Sequence, residues 1–207
     1  MMIKVCGMKD PGNMSLVAGL SPDMMGFVFY PESARYAGKL QPGTVRALPA
    51  GIKKTGVFVD EDSNRVEEIA GKYGLDAVQF HGSESPEICR RFRQKGIQVI
   101  KAFRISAEAD VGLTGEYEGS CDYFLFDTCC EGYVGSGQVF DWKLLEHYRG
   151  TTPFLLSGGI APRHAEAIKA FRHPLLAGID VNSRFEIAPG VKNPELLEAF
   201  MKELKAV

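Results

Sequence analysis

Eight short apolar runs, each followed by turn residues and then a helix-like segment, recur along this chain of 207 residues. The runs are almost continuously apolar, which is typical of strands buried on both faces of a parallel sheet. The predicted strands cover residues 3–6, 24–29, 54–59, 77–80, 98–103, 123–127, 154–157 and 176–181. The predicted helices lie near 11–20, 42–48, 62–73, 85–95, 107–117, 142–148, 162–171 and 193–205. This alternation restricts the chain to the α/β class.

Two architectures fit such an alternation, an open doubly wound sheet and a closed barrel of eight units. Eight units over 207 residues leave about 26 residues per unit, a regular spacing that favours the barrel. No GxGxxG follows the first run, and no proline- or serine-rich linker interrupts the pattern. We therefore predict an eight-stranded parallel (β/α)8 TIM barrel that forms a single domain over residues 1–207.

Capping residues support several of the predicted helices. Asp62 and Ser85 are expected N-caps, and Pro86 suits a first helical position. Gly74 and Gly96 are expected C-terminal stops. The fifth predicted helix is the weakest, because three glycines lie in or near it: Gly112, Gly115 and Gly119.

Charge and composition argue against several classes of function. The 24 basic and 26 acidic residues nearly balance and form no basic stripe, so we expect no nucleic-acid partner. No run approaches the ~18 apolar residues of a membrane span, and the first residues lack the layout of a signal peptide. The five cysteines form no CxxC pair, and the four histidines show no metal-ligand spacing. We expect a cytoplasmic protein with no metal and no membrane partner.

The barrel prediction gathers distant residues at one end of the molecule. Residues that end a strand, or lie in the loop after it, belong to the C-terminal face where such enzymes carry their active sites. Cys6, His81, Asp127 and Asp180 all end or follow predicted strands, and we expect them around one opening. His81 either orients a ligand there or satisfies a backbone carbonyl.

A thiol and a carboxylate at strand ends suit a general base and a general acid. Cys6 is either a small buried hydrophobe or a catalytic thiol, and Gly7 favours the second reading because glycine permits close approach of a ligand. A thiolate needs a lowered pKa or a positive neighbour. We place Lys4 on the opposite side of the strand, so we expect this neighbour to come from elsewhere.

Asp127 directly follows three apolar residues in a strand that is predicted to be buried. Burial of a carboxyl group there is costly unless it is paired or functional. An apolar surround would keep part of it protonated near neutrality, as a general acid requires. The alternative is an aspartate that caps the turn at Thr128.

Two further features suit an anionic substrate. Arg35 follows the second strand and is either solvated or a bidentate clamp for an anionic group. Gly158 and Gly159 follow the seventh strand, and Asn182 and Ser183 follow the eighth. Loops seven and eight of barrels commonly hold a phosphate on backbone N–H groups.

Seven segments in order along the chain resemble one family, the phosphoribosylanthranilate isomerases. They are KVCGM at 4–8, GFVFYPESARY at 26–36, VQFHG at 78–82, LFDT at 125–128, GSGQVFDW at 135–142, LSGGIAP at 156–162 and GIDVNSRFEIAPGVKN at 178–193. The resemblance implies a TIM barrel without a cofactor. It also implies conversion of N-(5-phosphoribosyl)anthranilate to 1-(2-carboxyphenylamino)-1-deoxyribulose 5-phosphate, an Amadori rearrangement in tryptophan biosynthesis.

The resemblance also implies residue roles. Cys6 matches the general base, Asp127 the general acid, and Arg35 the residue that holds the anthranilate carboxylate. With residues from the same predicted face, the expected substrate-binding set is Arg35, His81, Gly158, Gly159, Asp180, Asn182 and Ser183. The expected partner is a small phosphorylated substrate, and we expect a monomer or a homodimer.

The chain departs from the family pattern most clearly at Arg184, which stands where a glycine normally lets phosphate approach closely. Gly135-Ser136-Gly137 is predicted to form a flexible loop on the substrate side. Two alternatives stay open. One is a related sugar isomerase of histidine biosynthesis, although its family uses an aspartate where Cys6 stands. The other is a non-catalytic barrel that binds a phosphorylated ligand.

Overall fold

The strands of this protein form a closed parallel barrel. The computed structural model describes residues 1–128 and 142–206. The barrel strands are β1 (Met2–Val5), β2 (Met24–Val28), β3 (Lys53–Phe58), β4 (Ala77–Phe80), β5 (Gln98–Ile105), β6 (Tyr123–Thr128), β7 (Phe154–Ser157) and β8 (Leu176–Val181). They pair in chain order, and β8 returns to pair in parallel with β1. The predicted eight-stranded parallel barrel is confirmed.

Helices alternate with these strands. They are α1 (Pro11–Gly19), α2 (Pro42–Arg46), α3 (Ser63–Tyr73), α4 (Pro86–Gln94), α5 (Glu108–Gly112), α6 (Ala165–Ala170) and α7 (Pro194–Lys205). Short 3₁₀ segments cover Leu113–Tyr117, Trp142–His147, Pro162–His164 and Ser183–Phe185. No helix within residues 1–128 and 142–206 is both long and apolar enough to cross a membrane.

The expected helix ends are confirmed where a polar side chain or a glycine supplies the cap. Asp62 accepts two backbone N–H groups of the first turn of α3, and Ser85 accepts one from α4, whose first residue is Pro86. Gly74 ends α3 with a φ of 64°, and Gly96, with a φ of 78°, follows the last turn of α4. These positive φ values are easily adopted by glycine.

Three elements differ from the sequence prediction. The fifth helix is split, because α5 ends at Gly112 and Leu113–Tyr117 continues as a 3₁₀ turn. The sixth predicted helix is the 3₁₀ segment Trp142–His147. After β8 the chain adds an unpredicted antiparallel ribbon of β9 (Glu186–Ala188) and β10 (Val191–Lys192). This ribbon contributes two charged residues to the barrel mouth.

Apolar side chains fill two zones. The larger zone lies between the strands and the surrounding helices. The smaller zone fills the lower interior of the barrel. Leu125, one of its members, lies on the same face of β6 as Asp127, two residues further towards the cleft, so this zone lies directly below the cleft. Its buried members are Met24, Ile100, Ala102, Leu125 and Leu155. The upper interior is polar, and that is where the predicted site residues lie.

Candidate active site

A cleft of about 350 Å³ opens at the carboxyl ends of the barrel strands. It is bordered by every residue of the predicted site: Cys6, Arg35, His81, Asp127, Gly158, Gly159, Asp180, Asn182 and Ser183. Barrel closure therefore brings together side chains that are far apart in sequence.

The predicted loop Gly135-Ser136-Gly137 lies outside the described residues.

Cys6 follows β1 and is 4% exposed. Its backbone N–H donates to the Val181 carbonyl oxygen at 2.9 Å, which ties the thiol residue to β8. A Cβ atom at Gly26 of β2 would lie 2.6 Å from the Cys6 sulfur, so glycine at this position makes room for the thiol. Glycine at position 7 likewise makes room for the side chains of Arg35 and Asn182, because a Cβ there would lie 2.7 Å from atoms of both.

The expectation that Lys4 points away from Cys6 was wrong. Residues two apart along extended backbone share a face, so Lys4 of β1 and Cys6, directly after that strand, both point into the barrel. The Lys4 side chain is fully buried and donates to Asp180 Oδ1 at 2.8 Å, and its positive charge acts to lower the pKa of the Cys6 thiol. The positive neighbour that a thiolate needs therefore comes from the same strand.

Opposing influences act on the pKa of Cys6. Burial raises the pKa of the thiol most strongly, and the Asp180 carboxylate raises it further. Lys4 and Lys192 favour the thiolate and lower the pKa, although the net result is still a raised value. Burial also tends to lower the pKa of Lys4, but Asp180 and Cys6 outweigh it, so the pKa of this ammonium is raised.

Asp127 ends the polar face of β6 and pairs with His81. The distance from His81 Nε2 to Asp127 Oδ2 is 3.2 Å, and both side chains are about one third exposed. The other ring nitrogen, His81 Nδ1, lies 3.2 Å from the amide Nε2 of buried Gln79. When Gln79 donates to Nδ1, His81 carries its proton on Nε2 and donates to the carboxylate of Asp127. The immediate surround of Asp127 is thus more polar than the expected apolar one.

Arg35 is held by a residue that sequence reasoning missed, Glu186 of β9. Arg35 Nε lies 2.9 Å from Glu186 Oε1, and Arg35 Nη2 lies 2.6 Å from Glu186 Oε2, which makes the contact bidentate. Lys192 of β10 donates to Glu186 Oε1 at 2.6 Å and to Asn182 Oδ1 at 2.7 Å. One carboxylate therefore organises both cations at this side of the cleft.

Electrostatics within this network are strong. Burial alone would raise the pKa of Glu186, but hydrogen bonds from Arg35, Lys192 and the Gly190 N–H outweigh it and lower that pKa to about 2. Burial lowers the pKa of Lys192, although Glu186 counteracts part of this effect. The hydrogen bonds to Glu186 raise the pKa of Arg35 further. Glu186 is therefore a carboxylate at neutral pH.

The two predicted phosphate loops lie side by side. Gly158 and Gly159 follow β7 with φ values of 91° and 63°, and Asn182 and Ser183 lead into the 3₁₀ turn after β8. Asp180 lines the cleft beneath them, but its two oxygens already accept hydrogen bonds from Lys4 and Ser157. Arg184 is exposed and is absent from the cleft lining.

The wall of the cleft formed by the second and third strands is less polar. It consists of Val28, Tyr30, Val57 and Val59. Arg35 lies beside this wall, in the turn that follows Tyr30. The cleft thus offers an apolar wall beside a cation, an acid–imidazole pair, a buried thiol and a glycine-lined end.

A closed (β/α)8 barrel with ionisable groups and glycine-rich loops gathered at its C-terminal mouth belongs to the class of TIM-barrel enzymes. Residues 3–203 match the family model described as N-(5'-phosphoribosyl)anthranilate (PRA) isomerase, and the chain therefore belongs to that family. The match spans nearly the whole barrel.

Individual proteins agree with the family match. An N-(5'-phosphoribosyl)anthranilate isomerase of Parabacteroides distasonis is 50% identical over 207 residues, covering 99% of this chain and 93% of the relative. A phosphoribosylanthranilate isomerase solved in complex with reduced 1-(o-carboxyphenylamino)-1-deoxyribulose 5-phosphate is 31% identical, with a TM-score of 0.82 and 100% of both chains covered. Monomers made from the dimeric enzyme of Thermotoga maritima give 29% identity and a TM-score of 0.81, again with 100% of both chains covered.

Proposed function

We propose that this protein converts N-(5-phosphoribosyl)anthranilate to 1-(2-carboxyphenylamino)-1-deoxyribulose 5-phosphate, a step of tryptophan biosynthesis, as a single barrel domain. Family membership over residues 3–203 supports the reaction. The observation that carries the proposal is that Cys6 and Asp127, the expected base and acid, border one cleft although they lie at the ends of the first and sixth strands.

In the proposed mechanism Asp127 is the general acid. It donates a proton to the ribose ring oxygen as the bond from that oxygen to C1′ breaks, and the nitrogen lone pair forms the Schiff base. His81, 3.2 Å from the carboxyl group, fixes the direction in which Asp127 faces the cleft. This contact supports a role for His81 in positioning the acid as well as in bordering the substrate.

Cys6 is the general base in the second step. The thiolate removes the proton from C2′, and the electron pair of that C–H bond forms the enolamine as the iminium nitrogen is neutralised. Tautomerisation of the enolamine then gives the ketose. The rearrangement needs no metal, because the protonated imine itself accepts the electron pair.

Binding of the two ends of the substrate accounts for the remaining features of the cleft. The proposal places the anthranilate ring along the wall of Val28 and Val57, with its carboxylate on Arg35. The phosphate would lie on the backbone of loops seven and eight, in the segments 157–159 and 182–183. The complex of a relative with a phosphorylated, carboxyphenyl-bearing compound supports this choice of ligand.

The expected assembly and location follow from the relatives and the composition. A relative from Thermotoga maritima is described as dimeric, and we propose a monomer or a homodimer for this chain. A cytoplasmic location is proposed because free cysteines suit a reducing compartment; Cys6, Cys89 and Cys121 are unbonded in the described part of the chain. Analytical ultracentrifugation at several concentrations measures the assembly.

The test is the loss of anthranilate-type fluorescence when purified protein meets freshly made phosphoribosylanthranilate. Wild type should convert it rapidly, Cys6→Ser should lose most activity because a hydroxyl is a far weaker base, and Asp127→Asn should fall by ~10²–10⁴-fold. Cys89→Ser is a matched control, because this buried thiol on α4 lies outside the cleft.

Each alternative has its own outcome. Thermal stabilisation by the product without any turnover would indicate a non-catalytic barrel that binds a phosphorylated ligand. Turnover of the histidine-pathway substrate instead of phosphoribosylanthranilate would indicate the related sugar isomerase. Normal turnover by Cys6→Ser or Asp127→Asn would keep the reaction but remove that residue from its proposed role.

A further inference from the structure

The Cys6 thiol lies beside a buried ion pair inside the barrel. Lys4 is 0% exposed, and its ammonium lies 2.8 Å from Asp180 Oδ1 across the contact between β1 and β8. The interior below this level is apolar, as barrel interiors usually are. A buried ion pair is often no more stabilising than apolar residues of similar size. Stability alone therefore does not account for a lysine at this position.

Charged groups reach the thiol from several elements. Lys4 lies on β1 just before the thiol residue, Asp180 on β8, Lys192 on β10, and Arg35 in the loop after β2. The charges of Arg35 and Lys192 are shared with Glu186, which accepts hydrogen bonds from both. Lys4 differs from these cations because it faces the barrel interior on the same side as Cys6, two residues before it, and its charge lowers the pKa of the thiol more strongly than that of Lys192.

We propose that Lys4 is a positioning residue for the isomerisation: its ammonium orients the Cys6 sulfur and stabilises the thiolate, while Asp180 anchors the ammonium and moderates its effect. This inference deepens the proposed function and rests on the role of Cys6 as general base. Asp180, expected to bind substrate, acquires a second role as the counter-ion of Lys4.

The protonation states agree with this arrangement. The raised pKa of Lys4 keeps it charged through the neutral range, so the thiol is the partner that titrates. Burial raises the pKa of Cys6, and the positive charge of Lys4 opposes that rise. Without the ammonium, burial and the neighbouring carboxylate of Asp180 would both act against the thiolate.

A second buried lysine offers a matched control. Lys101 of β5 lies 3.2 Å from Glu84, with both side chains 3% exposed, and its ammonium also donates to the Gly82 carbonyl oxygen. It stands on the other face of its strand from Ala102, which points into the barrel. Lys101→Met therefore removes an equally buried charge without touching the thiol.

Alkylation of Cys6 by iodoacetamide over a pH series measures the thiolate without requiring turnover. Mass spectrometry of the peptide that contains Cys6 separates it from the other cysteines. Lys4→Met should slow this reaction at least about tenfold at neutral pH, which corresponds to one unit in the thiol pKa. Asp180→Asn should accelerate it, because the ammonium then acts on the thiol alone. Lys101→Met should leave it unchanged.

The pH profile of kcat/KM provides a second measurement. Its acidic limb should move to higher pH in Lys4→Met. If Lys4→Met fails to fold, the double variant Lys4→Met/Asp180→Asn replaces it. The double variant carries no isolated charge and should react more slowly than Asp180→Asn by at least about tenfold.

The outcomes separate this inference from the proposed function. Unchanged alkylation of Cys6 in Lys4→Met and in the double variant, with normal isomerisation by wild type, overturns the role of Lys4 and leaves the function standing. A strong response of alkylation to Lys4, with no isomerisation by wild type, overturns the proposed function and with it the assignment of Lys4 to that reaction.

Discussion

Replacement of Glu186 by glutamine should be strongly damaging at the rim of the cleft while leaving the proposed catalytic pair, Cys6 and Asp127, intact. The carboxylate accepts hydrogen bonds from Arg35, Lys192 and the Gly190 N–H, and its side chain is 5% exposed. Glu186→Gln retains an acceptor oxygen but removes the charge. Lys192, 0% exposed, is then left with Asn182 as a neutral partner.

Removing one partner of a buried ion pair costs about 3–5 kcal/mol. Because glutamine keeps some hydrogen bonds and Arg35 is one quarter exposed, we expect the lower end, about 3 kcal/mol. In a domain of this size each kcal/mol lowers the Tm by about 2–4 °C, so the expected fall is about 6–12 °C. Calorimetry at pH 7 measures it directly.

The matched control is Glu198→Gln on α7. Glu198 pairs with Lys202 in an exposed i, i+4 contact, with 49% and 73% of the side chains exposed. Such a pair contributes about 0.3–0.5 kcal/mol, so the control should change the Tm by little. Equal Tm values for wild type, Glu186→Gln and Glu198→Gln would refute the argument that Glu186 neutralises a buried cation.

The stability difference between wild type and Glu186→Gln should depend on pH. The pKa of Glu186 lies at about 2 in the folded protein, below its ordinary value of 4.5. A lowered folded-state pKa gives stability that is complete above the ordinary value and is lost as the pH falls through the folded value. The difference between wild type and Glu186→Gln should therefore be full at pH 7 and shrink from about pH 4.5 towards pH 2.

Three further changes test other parts of the molecule. Gly26→Ala should cost about 1–3 kcal/mol and lower kcat, because the new methyl group overlaps the Cys6 sulfur; full kcat would contradict this packing. Lys101→Met should lower stability by about 3–5 kcal/mol in thermal unfolding with kcat unchanged, because it leaves Glu84 buried without its cation. Arg184→Gly should leave KM unchanged, since this side chain is exposed and does not line the cleft; a raised KM would indicate a phosphate contact.

The barrel and the convergence of its site could be predicted because both depend on strand ends. Apolar runs mark the strands, and closure of a parallel barrel brings all their carboxyl ends to one mouth. Cys6, His81 and Asp127 were found by this rule alone. Gln79 could have been found as well, since an amide within the apolar run Ala77–Phe80 is a signal that it faces a polar interior.

Other features depend on contacts that no local pattern reveals. Glu186 and Lys192 reach Arg35 only because a short ribbon folds the chain back after β8, and its strands are three and two residues long. The position of Lys4 follows from the two-residue period of a strand, because residues 4 and 6 share a face. Its partner Asp180 required knowledge of how β1 and β8 align.

The contact between Lys4 and Asp180 joins residues 176 positions apart, at the seam where the barrel closes. Closing a loop of this length costs conformational entropy before the contact stabilises the fold, so contacts of this kind form slowly. A chain with most of its helices formed but its seam open would hold an unpaired lysine and an unsupported thiol. Catalytic competence therefore reports completion of the ring, and activity during refolding should return only with the last of the native structure.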